Sequence, residues 1–138
     1  MNIDKILSKR ETPEINTLSP LTLAFIGDSV YEMFIRTKIL SLGNRPANEL
    51  HKIAVKFVKA SQQARAAHEI FENLSDEEKD IYKRGRNTNI HTVPKNADMA
   101  DYRHATALEA LVGYLYIKGE QARLEEILND AFMILNRE

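Results

Sequence analysis

Cysteine is absent from all 138 residues. That excludes disulfides and thiolate-held metals and is compatible with a reducing cytoplasm, the location expected here. No apolar run reaches the ~18 residues a membrane span requires, and the opening MNIDKILSKRETPE has no signal-peptide core. Membrane partners are therefore not expected. Alternating apolar and polar positions that would mark strands are missing, as are internal repeats and low-complexity tracts. Acids are missing from two stretches. Between Leu50 and His68 stand Lys52, Lys56, Lys59, Arg65, His51 and His68 without an Asp or Glu. Between Ile81 and Asn96 stand Lys83, Arg84, Arg86 and Lys95, again without one. The formal net charge is only -1, so the chain as a whole does not read as a nucleic-acid binder. Its segregated charge does, because it gives a soluble protein a basic surface.

What is present reads as helix. Residues 1–18 form a lead-in, and residues 19–138 form one domain, large enough to bury a core. Ser19-Pro20 starts an opening helix that runs to about Leu42 and ends at Gly43-Asn44. The stretch Leu21 to Leu40 is the element around which the rest is expected to organise. From Glu49 to about Asn73, Leu50, Ile53, Phe57 and Ala60 keep helical spacing, with room for a break near Ser61. Ser75 and Glu78 form a capping box for a short helix through about Lys83. The breaker-rich GRNTNIHTVPKN, from Gly85 to Asn96, reads as a loop. Asn96 or Asp98 then caps a long apolar helix closed by Lys118-Gly119. A final amphipathic helix has Leu124, Ile127, Leu128, Ala131 and Leu135 on its inner stripe. The expected class is all-α, with about six or seven helices.

Two acids break this pattern. Asp28 shares a helical face with Leu21, Ala24, Phe25, Tyr31, Glu32 and Ile35; Glu109 shares one with Tyr102, Ala105, Thr106, Val112, Gly113 and Tyr116. An unpaired charge on an apolar side is costly, so each acid needs a partner. Arg36, Arg103 and Tyr31 are available as structural partners. Alternatively the two carboxylates converge on a cation; oxygen-only ligands suit Mg²⁺, with Mn²⁺ able to substitute. Glu32 either pairs with Arg36 one turn on or reaches such an ion through water. Gly27 and Gly113 are read as sites of close helix packing.

FIGDSVYE at 25–32, LHKIAVKFVKASQQA at 50–64 and LEALVGYLY at 108–116, in this order and spacing, resemble the ribonuclease III catalytic domain. The likeness is stronger to that family's short stand-alone branch, Mini-ribonuclease III. The resemblance implies a homodimeric, all-helical bundle that hydrolyses double-stranded RNA with Mg²⁺. Asp28 matches the family's catalytic aspartate and Glu109 its catalytic glutamate, both as metal ligands. The wider family has further acids where this chain has Leu21, Ala24 and Thr106, which implies a thinner metal shell. Thr106 and His104 are candidate supporting residues around it; His91 and His104 either donate to phosphate or orient Asp28, or are satisfied structural histidines.

RNA contact is assigned to the row Lys52, Lys56 and Lys59, and to a projecting basic loop of Lys83, Arg84, Arg86, Asn87 and Lys95. Too few residues follow Glu109 for a separate double-stranded RNA-binding domain, so binding is expected to be modest and salt-sensitive. The resemblance suggests the ends of precursor 23S ribosomal RNA as substrate, with a ribosomal protein assisting. Two other classes compete: a non-catalytic, ribosome-associated RNA binder of the same fold, and an all-α nucleotide pyrophosphohydrolase. The second has Glu69 and Glu72 at the right spacing but no matching partner set.

Overall fold

The computed structural model describes residues 12–89, 93 and 95–137. Six α-helices follow a short 3₁₀ turn, and no strand is present among the described residues. They are α1 (Pro20–Leu40), α2 (Ala47–Val58), α3 (Ala60–Phe71), α4 (Asp76–Asn87), α5 (Met99–Lys118) and α6 (Gln121–Leu135). Ser19 caps α1, its hydroxyl accepting from the Thr22 amide at 3.2 Å, with Pro20 in the first turn. Asp98 caps α5 by accepting from the Asp101 amide at 3.0 Å. Gly119 closes α5 at φ +83°, a left-handed geometry that glycine adopts without strain.

The centre of the bundle is α5, not α1. Helix α5 packs against α1, α3, α4 and α6 and buries residues on every side, from Ala105 through Leu115, as expected of a helix apolar all round. Helix α1 lies across it, with Tyr31 and Ile35 buried and Phe25 79% exposed. The organising role expected of residues 21–40 therefore belongs to 99–118. Similar apolar content could not separate the two helices.

The sequence leaves room for a break near Ser61 without fixing it; the structure places it at Lys59, whose extended backbone ends α2 and begins α3. No proline or glycine marks it. In a continuous helix the Phe57 carbonyl would accept from residue 61; here the buried Tyr31 hydroxyl donates to it at 3.3 Å. The Phe57 ring stacks on Phe132 with centroids 5.1 Å apart. A tertiary contact thus takes over a bond the helix gives up.

Helix α4 also outruns its expected end at Lys83, continuing to Asn87. Gly85 acts as a contact surface rather than a breaker: a Cβ there would lie 3.0 Å from both Ala107 Cα and Ala110 Cβ of α5. At the other end of α4, Glu78 serves two structures. Its carboxylate completes the capping box with Ser75 and accepts from Arg123 Nε and Nη2 of α6, both at 2.8 Å. The Arg123 guanidinium holds the Glu78 carboxyl below the usual carboxylate range.

Replacing Arg123 with Ala is expected to cost ~2–3 kcal/mol at neutral pH, because it strands a buried carboxylate. A carboxyl held low contributes stability that is present above its unfolded value, here 4.5, and lost as pH falls through the folded value. Denaturant titrations of both proteins should therefore converge as the pH is lowered past that range. A gap that persists in strong acid would refute the pairing.

Candidate catalytic and metal site

Two glycines bring the site together. A Cβ on Gly27 would overlap the Glu109 carbonyl, and a Cβ on Gly113 would overlap that of Leu23. Helices α1 and α5 therefore cross backbone against backbone, which only residues without a side chain allow. Asp28 follows Gly27 directly, and Glu109 supplies the carbonyl that Gly27 touches. The crossing thus sets the two acids side by side in one cleft.

That cleft holds about 280 Å³ and is lined by Leu21, Ala24, Phe25, Asp28, Ser29, Tyr102, Thr106 and Glu109. At ~30 Å³ per water, there is room for a small ion with several waters. The two carboxyl groups lie within hydrogen-bonding reach of each other. Burial, and then the adjacent Asp28 carboxyl, push the Glu109 carboxyl up to about 9. Burial, followed by the charge of Glu109, also raises the Tyr31 phenol.

Asp28 itself is exposed. The apolar face predicted around it is divided in the structure: Tyr31 and Ile35 point inward, while Leu21 and Phe25 line the mouth of the cleft. The burial expected for Asp28 is therefore corrected. Glu109, on the central helix, bears most of the desolvation.

The structural partners that could have satisfied these acids are engaged elsewhere. Arg36 Nη2 donates to Glu32 at 3.1 Å. Arg103 donates to the carbonyls of Arg86 and Thr88, capping the end of α4. The Tyr31 hydroxyl is spent on Phe57. Among the described residues, no group of three or more His, Asp or Glu side chains could hold a metal. The donor set is two adjacent carboxylates in a cleft with space for water, and it fits a hard divalent cation that keeps part of its hydration shell.

Of the supporting candidates among the described residues, only Thr106 lines this cleft; it is buried and its hydroxyl donates to the Tyr102 carbonyl at 2.9 Å. Glu32 faces a separate groove between α1 and α2, with Met33, Leu50 and His51. His104 accepts from or donates to the Tyr82 hydroxyl through Nδ1 at 2.6 Å, and its ring centroid lies 4.3 Å from that of His68. It opens onto another hollow, with Arg86, Asn87 and Arg103, and burial, then His68 and Arg86, lower its pKa. His91 lies outside the described residues. Leu21, Ala24 and Thr106, the positions at which the resemblance implies further acids, all face the same cleft.

The basic residues divide differently from the expectation. Lys52, Lys56 and Lys59 are exposed along α2 and its end. Lys83, Arg84, Arg86 and Asn87 belong to the last turns of α4, not to a loop; only Lys95 sits in the connection to α5. Sequence reasoning also missed Gln63 of α3, which is 3% exposed and lies against Glu109. Two adjacent glutamines, Gln62 and Gln63, in an alanine-rich helix give no signal of which one makes such a contact.

Residues 21–120 match the Ribonuclease III domain family. The Mini-ribonuclease 3 of Thermoanaerobacter sp. is 52% identical over 119 residues, covering 86% of this chain and 84% of that protein. The Mini-ribonuclease 3 of Staphylococcus aureus is 41% identical over 133 residues, covering 94% and 98%. A crystal structure of a Fusobacterium nucleatum protein superposes with a TM-score of 0.78 at 34% identity, covering 86% of this chain and 94% of that one. The fold and the family match together define a domain of the ribonuclease III type. Within that class, the chain belongs to the Mini-ribonuclease 3 branch of the ribonuclease III family.

Proposed function

We propose that this protein is a Mg²⁺-dependent endoribonuclease that cuts double-stranded RNA, with residues 19–138 acting as one catalytic domain. The observation that carries this reading is the convergence of Asp28 and Glu109 in a cleft whose candidate cationic partners are engaged elsewhere. Asp28 and Glu109 would hold the ion, and Mn²⁺ has the same preference for oxygen ligands. Once bound, the ion supplies Lewis acidity toward water and a phosphodiester oxygen. Glu109 must give up its proton to serve as a ligand, so metal uptake releases a proton and tightens with rising pH. Thr106 and Tyr102 shape the wall of the cleft, and the exposed side leaves Asp28 open to a phosphate backbone.

The lysine row on α2 and the basic end of α4 supply phosphate contacts to an A-form duplex, which is read by shape, phosphate and 2′-hydroxyl. Replacing Lys52, Lys56 and Lys59 together by Ala is expected to weaken duplex binding. It should also flatten the plot of log affinity against log salt, by about one for each phosphate left without its lysine. A filter-binding series at several salt concentrations checks this; an unchanged slope would remove the row from the interface.

Leu21, Phe25, Met33 and Leu40 leave a row of exposed apolar side chains along α1, a surface that pairing with a second copy would cover. A homodimer would present two clefts to one duplex, one for each strand. The likeness to Mini-ribonuclease 3 supports the ends of precursor 23S ribosomal RNA as the cytoplasmic substrate, with a ribosomal protein assisting. The test is direct: long duplex RNA is incubated with the protein and Mg²⁺ or a chelator, and the product ends are mapped. Staggered double-strand cleavage only with Mg²⁺ is expected. Binding without cleavage would favour the non-catalytic RNA binder.

A further inference from the structure

Gln63 is among the few polar side chains in the core, 3% exposed on α3 where that helix packs against α5. Its side-chain amide lies beside the Glu109 carboxyl, close enough to favour the charged form of that acid. Yet Nε2 closes no hydrogen bond of good geometry with any described residue. A buried donor left in this way costs ~1–3 kcal/mol, so apolar packing alone would be better served by a leucine. Gln63 is buried and is not among the residues that line the cleft, whereas Asp28 and Glu109 are. Another polar group near Glu109, the Tyr31 hydroxyl, already donates to Phe57.

We propose that Gln63 is a positioning residue: its amide donates to the Glu109 carboxylate from behind and fixes which oxygen faces the cleft. The residue type suits the task. A carboxamide adds no third negative charge to the pair, whereas a lysine or arginine would neutralise Glu109 and compete with a bound cation. Donors behind a ligating carboxylate orient it, and their loss typically weakens metal binding ~10–100-fold. This inference rests on the reading of Asp28 and Glu109 as a metal site.

The experiment measures Mn²⁺ affinity by titration calorimetry, and the Mg²⁺ dependence of duplex cleavage, for wild type and Gln63→Leu. The variant is expected to bind Mn²⁺ about tenfold or more weakly. It should recover most of its kcat at high Mg²⁺ and bind duplex RNA in chelator as wild type does. A purely structural glutamine would lower thermal stability without moving the metal dependence. In the wild-type protein, which needs no substitution to fold, the Gln63 Nε2 amide resonances should shift on addition of Mg²⁺. Equal Mn²⁺ affinity in Gln63→Leu, or amide resonances unmoved at saturating Mg²⁺, overturns the proposal while leaving the metal site standing. Absence of Mn²⁺ binding by wild type overturns both.

Discussion

Substituting Asp28 by Asn should abolish Mg²⁺-dependent duplex cleavage, with a loss of at least ~10³-fold, while duplex binding in chelator survives. If the two carboxylates hold a metal ion as proposed, removing one forfeits several kcal/mol of transition-state stabilisation, and each 1.36 kcal/mol is worth a factor of ~10 in rate. The same change should make the protein more stable at alkaline pH. Burial and the neighbouring Asp28 carboxyl hold the Glu109 carboxyl up at about 9. A carboxyl raised in this way favours folding below its unfolded value and opposes it as pH rises from there toward 9. An uncharged neighbour removes part of that opposition, so Asp28→Asn should melt higher than wild type once the pH is raised to about 9 and beyond, where wild-type Glu109 gives up its proton. The difference should vanish in acid, where both proteins keep Glu109 protonated. Gain of stability with loss of activity is the mark of a site built against its own electrostatics. Unchanged cleavage by Asp28→Asn would remove the pair from catalysis.

Replacing Gly27 with Ala should strongly destabilise the protein. The new Cβ would meet the Glu109 carbonyl, and a helix backbone cannot rotate aside as a side chain can. Overpacking costs typically ~1–3 kcal/mol and more where backbone must shift. A drop in melting temperature of ~10 °C is expected. What distinguishes this position is its link to the site. Relief of the clash requires α1 and α5 to separate, and that moves Asp28 from Glu109. Activity should therefore fall further than the folded fraction accounts for, and Mn²⁺ affinity should fall with it. Alanine at Gly43, which has no neighbour within 4 Å but sits at φ +106°, is the control: it strains the backbone but leaves the metal affinity alone. A Gly27→Ala protein that melts and binds Mn²⁺ like wild type would refute the close crossing.

Much of the molecule was legible in one dimension. Helix starts at Ser19 and Ser75 follow from the donor chemistry of the first turn, the start at Asp98 is one of two candidates with Asn96, and the stop at Gly119 follows from a left-handed residue. These are local rules, so local sequence suffices. Asp28 and Glu109 stood out because a carboxylate on an apolar helical face has an energetic cost that periodicity alone reveals. The glutamate–arginine pair of Glu32 and Arg36 was legible for the same reason: it spans one turn of one helix.

Only the tertiary structure decided the rest. Whether Gly85 ends α4 or lets α5 approach depends on what lies opposite, and no residue nearby in sequence says so. The break at Lys59 is set by Tyr31, far upstream, through the Phe57 carbonyl. Which of the two acids is buried depended on which of two apolar helices became the centre, and α5 has neighbours on every side where α1 does not. Sequence alone determined that two acids must be held at a cost. The crossing of α1 and α5 at Gly27 and Gly113 determined that they are held together, because the distance between helices is set by the atoms between them and not by the spacing along either one.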